Sequence, residues 1–276
     1  MLKRILTAIV GIPVAVFLVT KGGWMFGAAM LLLAGVAWHE YEGMARHGSV
    51  TLYKLTSGLP ALLLVLAACL DREDLLLPIL TLAVLAVLFE GLYRRCHYED
   101  MNWVENTSVS LAALFYTGLL FAHIPLLREY SSQSAVWGGL SFSRGELALW
   151  MVLLGTWSSD TFAYFFGRAF GRHPFCVVSP KKSMEGAVAG FIFALAVTAG
   201  VAYCGLAIPM GISLLLGLCV AFCAPVGDLV ESMLKRSFDI KDSGSFFPGH
   251  GGVLDRFDSL LFAIPATYYV MKLFGV

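Results

Sequence analysis

Apolar residues run along this chain in long blocks, without the strict alternation that marks a half-buried strand. A membrane-crossing helix needs about 20 mainly apolar residues, with some tolerance for tilt. Nine stretches approach that requirement, near 5–20, 23–39, 55–70, 75–91, 104–127, 147–167, 186–204, 208–227 and 257–274. The pattern therefore predicts an all-α, polytopic integral membrane protein with about nine transmembrane helices. Pro13, Pro60 and Pro78 lie inside these runs, which membrane helices tolerate because neighbours satisfy the freed carbonyls. The first and second runs, and the third and fourth, are close enough to form helical hairpins. The opening MLKR-ILTAIVGIPVAVFLVT has the outline of a signal peptide. It lacks a small-residue cleavage site followed by a soluble domain, so it is expected to remain as the first membrane helix.

Composition agrees, with 58% hydrophobic and 14% charged residues against about 25% charged in soluble domains. The formal net charge is zero, which gives no bulk attraction for nucleic acid. The six cysteines show no zinc-ligand spacing and read as small buried hydrophobes. Where the charges fall is more informative. With the N-terminus inside, the inner connections hold 14 of the 19 basic residues, and Lys21, Arg72, Arg128, Arg144 and Lys272 stay outside. Positive-inside bias thus favours an N-in, C-out arrangement. It puts two polar blocks, 168–185 and 235–256, on the cytoplasmic side. Residues 1–145, with about five spans, read as a scaffold, and 146–276 as the catalytic region. His39, Glu40, Glu42 and Glu90 sit at the ends of the second and fourth runs, where interfacial capping or snorkelling explains them. Residues 128–146 read as an external connector.

The longest polar stretch is Ser232–Asp258, SMLKRSFDIKDSGSFFPGHGGVLDRFD. Across its start, Asp228, Glu231 and Lys235 fall at i, i+3 and i+7 and share a helix face. They suit either a salt-bridged helix end or a site. Gly249, Gly251 and Gly252 let the backbone take φ > 0 and approach a ligand closely. Asp255 and Asp258 fall where the next helix begins, so a helix cap is their plainer reading. Carboxylates beside Lys, Arg and bare amides suit a divalent metal carrying phosphates, because Mg²⁺ accepts one or two carboxylates plus phosphate oxygens. In the second block Asp160 lies inside an apolar run, where a carboxylate is costly without a partner. Asp160, Tyr164, Gly167 and Gly171 form one face, its glycines serving either helix packing or close ligand approach. Arg168 and Arg172 follow, and then SPKKSMEG, with Lys181, Lys182, Ser183 and Glu185. Such a basic cluster suits a lipid phosphate or a triphosphate.

Ser232-x-Leu234-Lys235-Arg236, Lys241-Asp242-x-Gly244 and Pro248-x-His250-Gly251-Gly252-x-x-Asp255-Arg256-x-Asp258 together resemble the signature of the phosphatidate cytidylyltransferases. SPKKSMEG and the Asp160–Tyr164–Gly167–Arg168 face are similar to that family too. The resemblance implies transfer of CMP from CTP to phosphatidate, giving CDP-diacylglycerol and pyrophosphate. It implies a bacterial-type inner membrane, an active site facing the cytoplasm and a homodimer. It also implies Asp228 and Asp255 as ligands of Mg²⁺ and of a second cation such as K⁺. Glu231 and Asp258 are candidates to assist. Lys235, Arg236, Lys241 and Arg256 are candidates for the triphosphate, with Asp242, Gly251 and Gly252 in the binding loop. Asp160, Tyr164, Arg168, Lys181, Lys182, Ser183 and Glu185 are candidates for phosphatidate or for closing the site. Phosphatidate is already ionised and needs no strong general base, so His250 is left to hydrogen-bond a phosphate or order the loop. A cytidylyltransferase for another lipid phosphate would look alike at these positions. An ion-coupled transporter built around Asp160 is the reading from another class, although a transporter is not expected to gather its polar residues on one side.

Overall fold

The structure is a computed structural model. It describes residues 2–276 except Val177, Val178, Pro180 and Lys181, and omits the side chains of residues 2–6 and 8. Helices occupy every apolar stretch: α1 Leu2–Lys21, α2 Gly23–His47, α3 Leu59–Cys69, α4 Leu76–His97, α5 Trp103–Ala113 and α6 Leu120–Arg128. They continue with α7 Arg144–Phe170, α8 Met184–Cys204, α9 Met210–Ser237, the single turn α10 Leu254–Phe257 and α11 Leu260–Phe274. Among the described residues four helical stretches are long and apolar enough to cross a membrane: Glu73–His97, Trp103–Arg128, Met184–Cys204 and Met210–Ser237. The others are either shorter, as in Lys54–Cys69 and Leu260–Phe274, or fall outside that group despite their length, as α2 and α7 do. Two of the helical stretches contain a π-helical turn, Lys54–Gly58 leading into α3 and Leu114–Leu119 joining α5 to α6.

The chain is mostly helical, in line with the all-α expectation, and the described residues add one small sheet to it. The connector after α6 contains an antiparallel hairpin, β1 Ser134–Trp137 and β2 Leu140–Ser143, with Ser134 opposite Ser143 and Trp137 opposite Leu140. Its two loop residues are Gly138 and Gly139, at φ 58° and 80°. Positive φ at both central positions is what a two-residue hairpin turn needs, and glycine supplies it without strain. The Gly-Gly signal is present in the sequence but is easily missed beside long apolar helices.

Contacts divide the chain into two compact units, and neither is continuous in sequence. The first comprises residues 1–126 and 235–256. Phe26, Tyr41, Met44, Tyr53, Leu64, Leu114 and Phe121 fill its interior. Close helix approach depends on small residues, because a Cβ on Gly118 would lie 2.7 Å from the Ala61 Cα. The late segment 235–256 belongs to this unit through apolar burial. Phe238 packs edge-on against Tyr41, with ring centroids 6.4 Å apart, and Val253 and Leu254 are fully buried.

The second unit comprises residues 127–234 and 257–276. Ser143 begins α7 by accepting the Glu146 amide at 3.1 Å, the S-x-x-E arrangement that satisfies free amides at a helix start. Ser183 does the same for α8, accepting the Gly186 amide at 3.2 Å. Where α7 meets α8, Gly167, Gly186 and Gly190 serve packing, the plainer of the two readings. A Cβ on Gly190 would lie 2.7 Å from the Ser159 carbonyl oxygen, and one on Gly186 would lie 3.0 Å from the Gly167 Cα. The two backbones therefore touch, as small residues permit in membrane bundles.

Gly190→Leu should force these helices apart, costing about 1–3 kcal/mol by overpacking and lowering the melting temperature in detergent. Gly200→Ala, whose added Cβ would meet nothing within 4 Å, should leave the melting temperature unchanged or slightly raised.

Candidate active site

In the second unit, α7 and the start of α8 enclose a cavity of about 340 Å³. Its lining includes Asp160, Tyr164 and Arg168 from α7, and Lys182 and Ser183 from the segment entering α8. The helical spacing of four carries Asp160, Tyr164 and Arg168 to one side, and Arg168 Nη1 donates to the Tyr164 hydroxyl at 3.2 Å. Lys182 forms an ion pair with Asp228 of α9. The cavity therefore has cationic and phenolic donors on a partly apolar wall, and one of its cations already rests on a carboxylate. Lys181 lies outside the described residues.

Glu185 and Ser183 also have structural work. Glu185 accepts the Arg172 amide at 3.1 Å and His173 Nδ1 at 2.7 Å, which ties the segment leaving α7 to the start of α8. Glu231 is buried in α9. Asp258 precedes α11, its Oδ1 accepting the Ser259 amide at 2.5 Å. Gly227 is required beside it, because a Cβ there would run into the Asp258 carbonyl oxygen.

The first unit holds the rest of the signature. Asp255, in α10, has a side chain only 8% exposed, and each of its oxygens has a distinct set of partners. Oδ2 accepts three donors, the Ser243 amide at 2.9 Å, the Ser243 hydroxyl at 2.8 Å and the Gly252 amide at 2.8 Å. Oδ1 receives the Lys235 ammonium at 2.6 Å. Burial pushes this carboxyl up, but the Lys235 ammonium, the Gly252 amide and the Ser243 hydroxyl outweigh it and hold the group below the usual aspartate range. Gly251 stands at φ 86°, and a Cβ there would lie 2.6 Å from Asp255 Oδ2, so the loop can close on the acid only without a side chain. Arg256 Nε donates to the His250 carbonyl at 2.8 Å and Arg236 Nη1 to that of Ile240 at 3.1 Å, while Lys241 and Asp242 are exposed. His250 Nδ1 is buried without a hydrogen-bond partner among the described residues.

Glu40 is the residue that sequence reasoning passed over. It does not snorkel to water. It is 7% exposed and accepts the Val253 and Leu254 amides at 2.9 and 3.0 Å. Its only signal in the sequence is an acid at the end of an apolar run, which ordinary interfacial residues share.

Among the described residues, no three His, Cys, Asp or Glu side chains gather into a cage for a metal ion. Mg²⁺ asks for less, since one or two carboxylates and phosphate oxygens suffice. Asp228 and Asp255, each within its own unit, are carboxylates of the kind that such a donor set uses. Both present hard oxygens, and each has one lysine ammonium as its cationic partner.

The sequence matches the cytidylyltransferase family over residues 2–274. It is 33% identical to a phosphatidate cytidylyltransferase of Bacillus subtilis, with 100% of this chain and 99% of the relative covered. It is 32% identical to one of Synechocystis sp., covering 98% of this chain and 96% of the relative, and 31% identical to one of Thermotoga maritima at 98% and 96%. Together with the paired aspartates and lysines of the signature, these full-length matches show that the chain belongs to the cytidylyltransferase family, among its phosphatidate cytidylyltransferases.

Proposed function

We propose that CMP transfer from CTP to phosphatidate proceeds by in-line attack of a phosphatidate phosphate oxygen on the α-phosphorus of CTP. The new P–O bond forms as the bond from the α-phosphorus to its bridging oxygen breaks, and pyrophosphate leaves with that electron pair. The observation supporting this reading is that each signature aspartate is held on a lysine, Asp228 on Lys182 and Asp255 on Lys235. Each pair is neutral overall, and its ammonium would be able to turn to phosphate oxygens were its carboxylate to hold a metal ion. Asp228 and Asp255 would hold Mg²⁺ and a second cation such as K⁺, with Glu231 and Asp258 nearby in sequence as assistants. Mg²⁺, when bound, offsets the charge that builds on the departing pyrophosphate.

The remaining residues bind and orient. Lys235, Arg236, Lys241 and Arg256 are assigned to the triphosphate, and the loop Asp242, His250, Gly251 and Gly252 to its approach. The cavity lined by Asp160, Tyr164, Arg168, Lys182 and Ser183 is assigned to the phosphatidate head group, and Lys181 and Glu185 are assigned to the same role from their place in the sequence. Phosphoryl and nucleotidyl transfer needs mainly positioning and charge neutralisation, which is the chemistry these side chains offer. The chain is further proposed to have nine spans, N-in and C-out, to work as a homodimer in a bacterial inner membrane, and to face its substrates from the cytoplasm.

Purified protein in detergent should release pyrophosphate from CTP only with phosphatidate and Mg²⁺ present. Asp228→Asn and Asp255→Asn should each lower that rate by about 100-fold or more. Survival of activity in both variants would remove them as metal ligands. The orientation has its own test, because Cys96 and Cys204 are both exposed free thiols. On intact cells a membrane-impermeant maleimide should label a variant keeping only Cys204 and leave one keeping only Cys96 unlabelled until the membrane is permeabilised. The reverse pattern would invert the topology.

A further inference from the structure

Glu40 has no place in the chemistry assigned so far, yet the segment that carries Asp255 is built around it. Its Oε1 accepts the Val253 amide at 2.9 Å and its Oε2 the Leu254 amide at 3.0 Å. Oε2 also lies 3.5 Å from the Ser243 hydroxyl, which itself donates to Asp255 Oδ2 at 2.8 Å. Two glycines of the signature make room for this carboxylate. A Cβ on Gly244 would stand 2.6 Å from Glu40 Oε1, and one on Gly252 would stand 2.5 Å from Oε2. Any side chain at either position would push the acid out.

The placement of these contacts sets the direction of Asp255. Val253 and Leu254 are the two residues before it, so Glu40 fixes the 252–253 and 253–254 peptide planes, which end one peptide short of the Cα that carries the Asp255 side chain. Gly252 and Ser243, which abut Glu40, are also the donors that lock Asp255 Oδ2. With Oδ2 locked, Oδ1 is the oxygen left to face Lys235, and it is the one free to exchange partners. An acid serving only to finish a membrane helix would have no reason to satisfy two successive amides immediately before that residue. Groups that orient a metal-binding side chain in this way commonly matter nearly as much as the ligand itself.

We propose that Glu40 is a positioning residue for cytidylyl transfer, its carboxylate holding the Val253 and Leu254 amides and crowding Ser243 so that Asp255 presents Oδ1 to its reacting partner. This rests on the reading of Asp255 as a metal-binding carboxylate.

The test compares the parent with Glu40→Ala, Glu40→Gln and Asp255→Asn in detergent, reading phosphatidate-dependent pyrophosphate release and amide hydrogen exchange over residues 243–256. Glu40→Ala should lower kcat by about 10–100-fold with KM for phosphatidate within about 2-fold of the parent. Exchange should quicken at the Val253 and Leu254 amides and stay unchanged in α3 and α4. Glu40→Gln, which keeps one oxygen acceptor, should recover part of the rate. Parent-like kcat in Glu40→Ala despite faster exchange would overturn the proposal, as would a loss of rate with exchange unchanged at those amides. Faster exchange throughout the unit would also overturn it, by showing a general structural role. Should Glu40→Ala fail to fold, Glu40→Gln decides: an intermediate kcat with exchange altered only near 253–254 supports the proposal, and parent-like kcat overturns it. Asp255→Asn retaining full activity is a separate outcome, which removes the reading beneath the proposal whatever the Glu40 variants do.

Discussion

A carboxylate removed from water must be given partners, because an isolated buried charge costs many kcal/mol and mutual attraction repays this only with good geometry. In an apolar chain with 19 acidic residues, that constraint decides where the polar segments can go. Asp255 meets it with four donors from Lys235, Ser243 and Gly252, and Glu40 with the amides of Val253 and Leu254. Asp228 meets it with Lys182. The loop between α9 and α10 therefore has little conformational choice, since moving it would leave at least two buried acids without donors.

Glycine is the second half of the same solution. At Gly244, Gly251 and Gly252 the absent side chain leaves space for a carboxylate, and at Gly186 and Gly190 it leaves space for a neighbouring backbone. One residue type thus serves charge solvation in the first unit and helix packing in the second. Dispersion across closely touching backbones has to hold membrane helices together where lipid offers no hydrophobic driving force between them. The rigid α7–α8 pair that results is what keeps Tyr164, Arg168 and Lys182 around one cavity.

The lysine partners give the site its chemical character. A carboxylate paired to an ammonium leaves neither charge without a partner, and in the proposed mechanism both would become available once a polyanion and a metal ion compete for them. Such a site does not need to generate a strong base, which suits a nucleophile that is already ionised.

The sequence by itself determined the helical stretches, because apolar blocks of about 20 residues have few alternatives in lipid. It also determined the family and the polar signature, since Asp255, Lys235, Gly251 and Gly252 lie within one short segment whose residue types constrain one another directly. It exposed the Gly138-Gly139 turn only weakly, as a local signal overshadowed by stronger apolar ones. Tertiary structure alone decided which alternative each remaining residue took. Gly167 and Gly186 turned out to be packing contacts, Ser183 a helix cap as well as cavity wall, and Lys182 the partner of Asp228. Most of all it decided Glu40, whose partners follow more than 200 residues later and whose spacing to them carries no periodic signal. Hydrogen bonds between distant segments depend on how the chain folds back, and no local pattern records that.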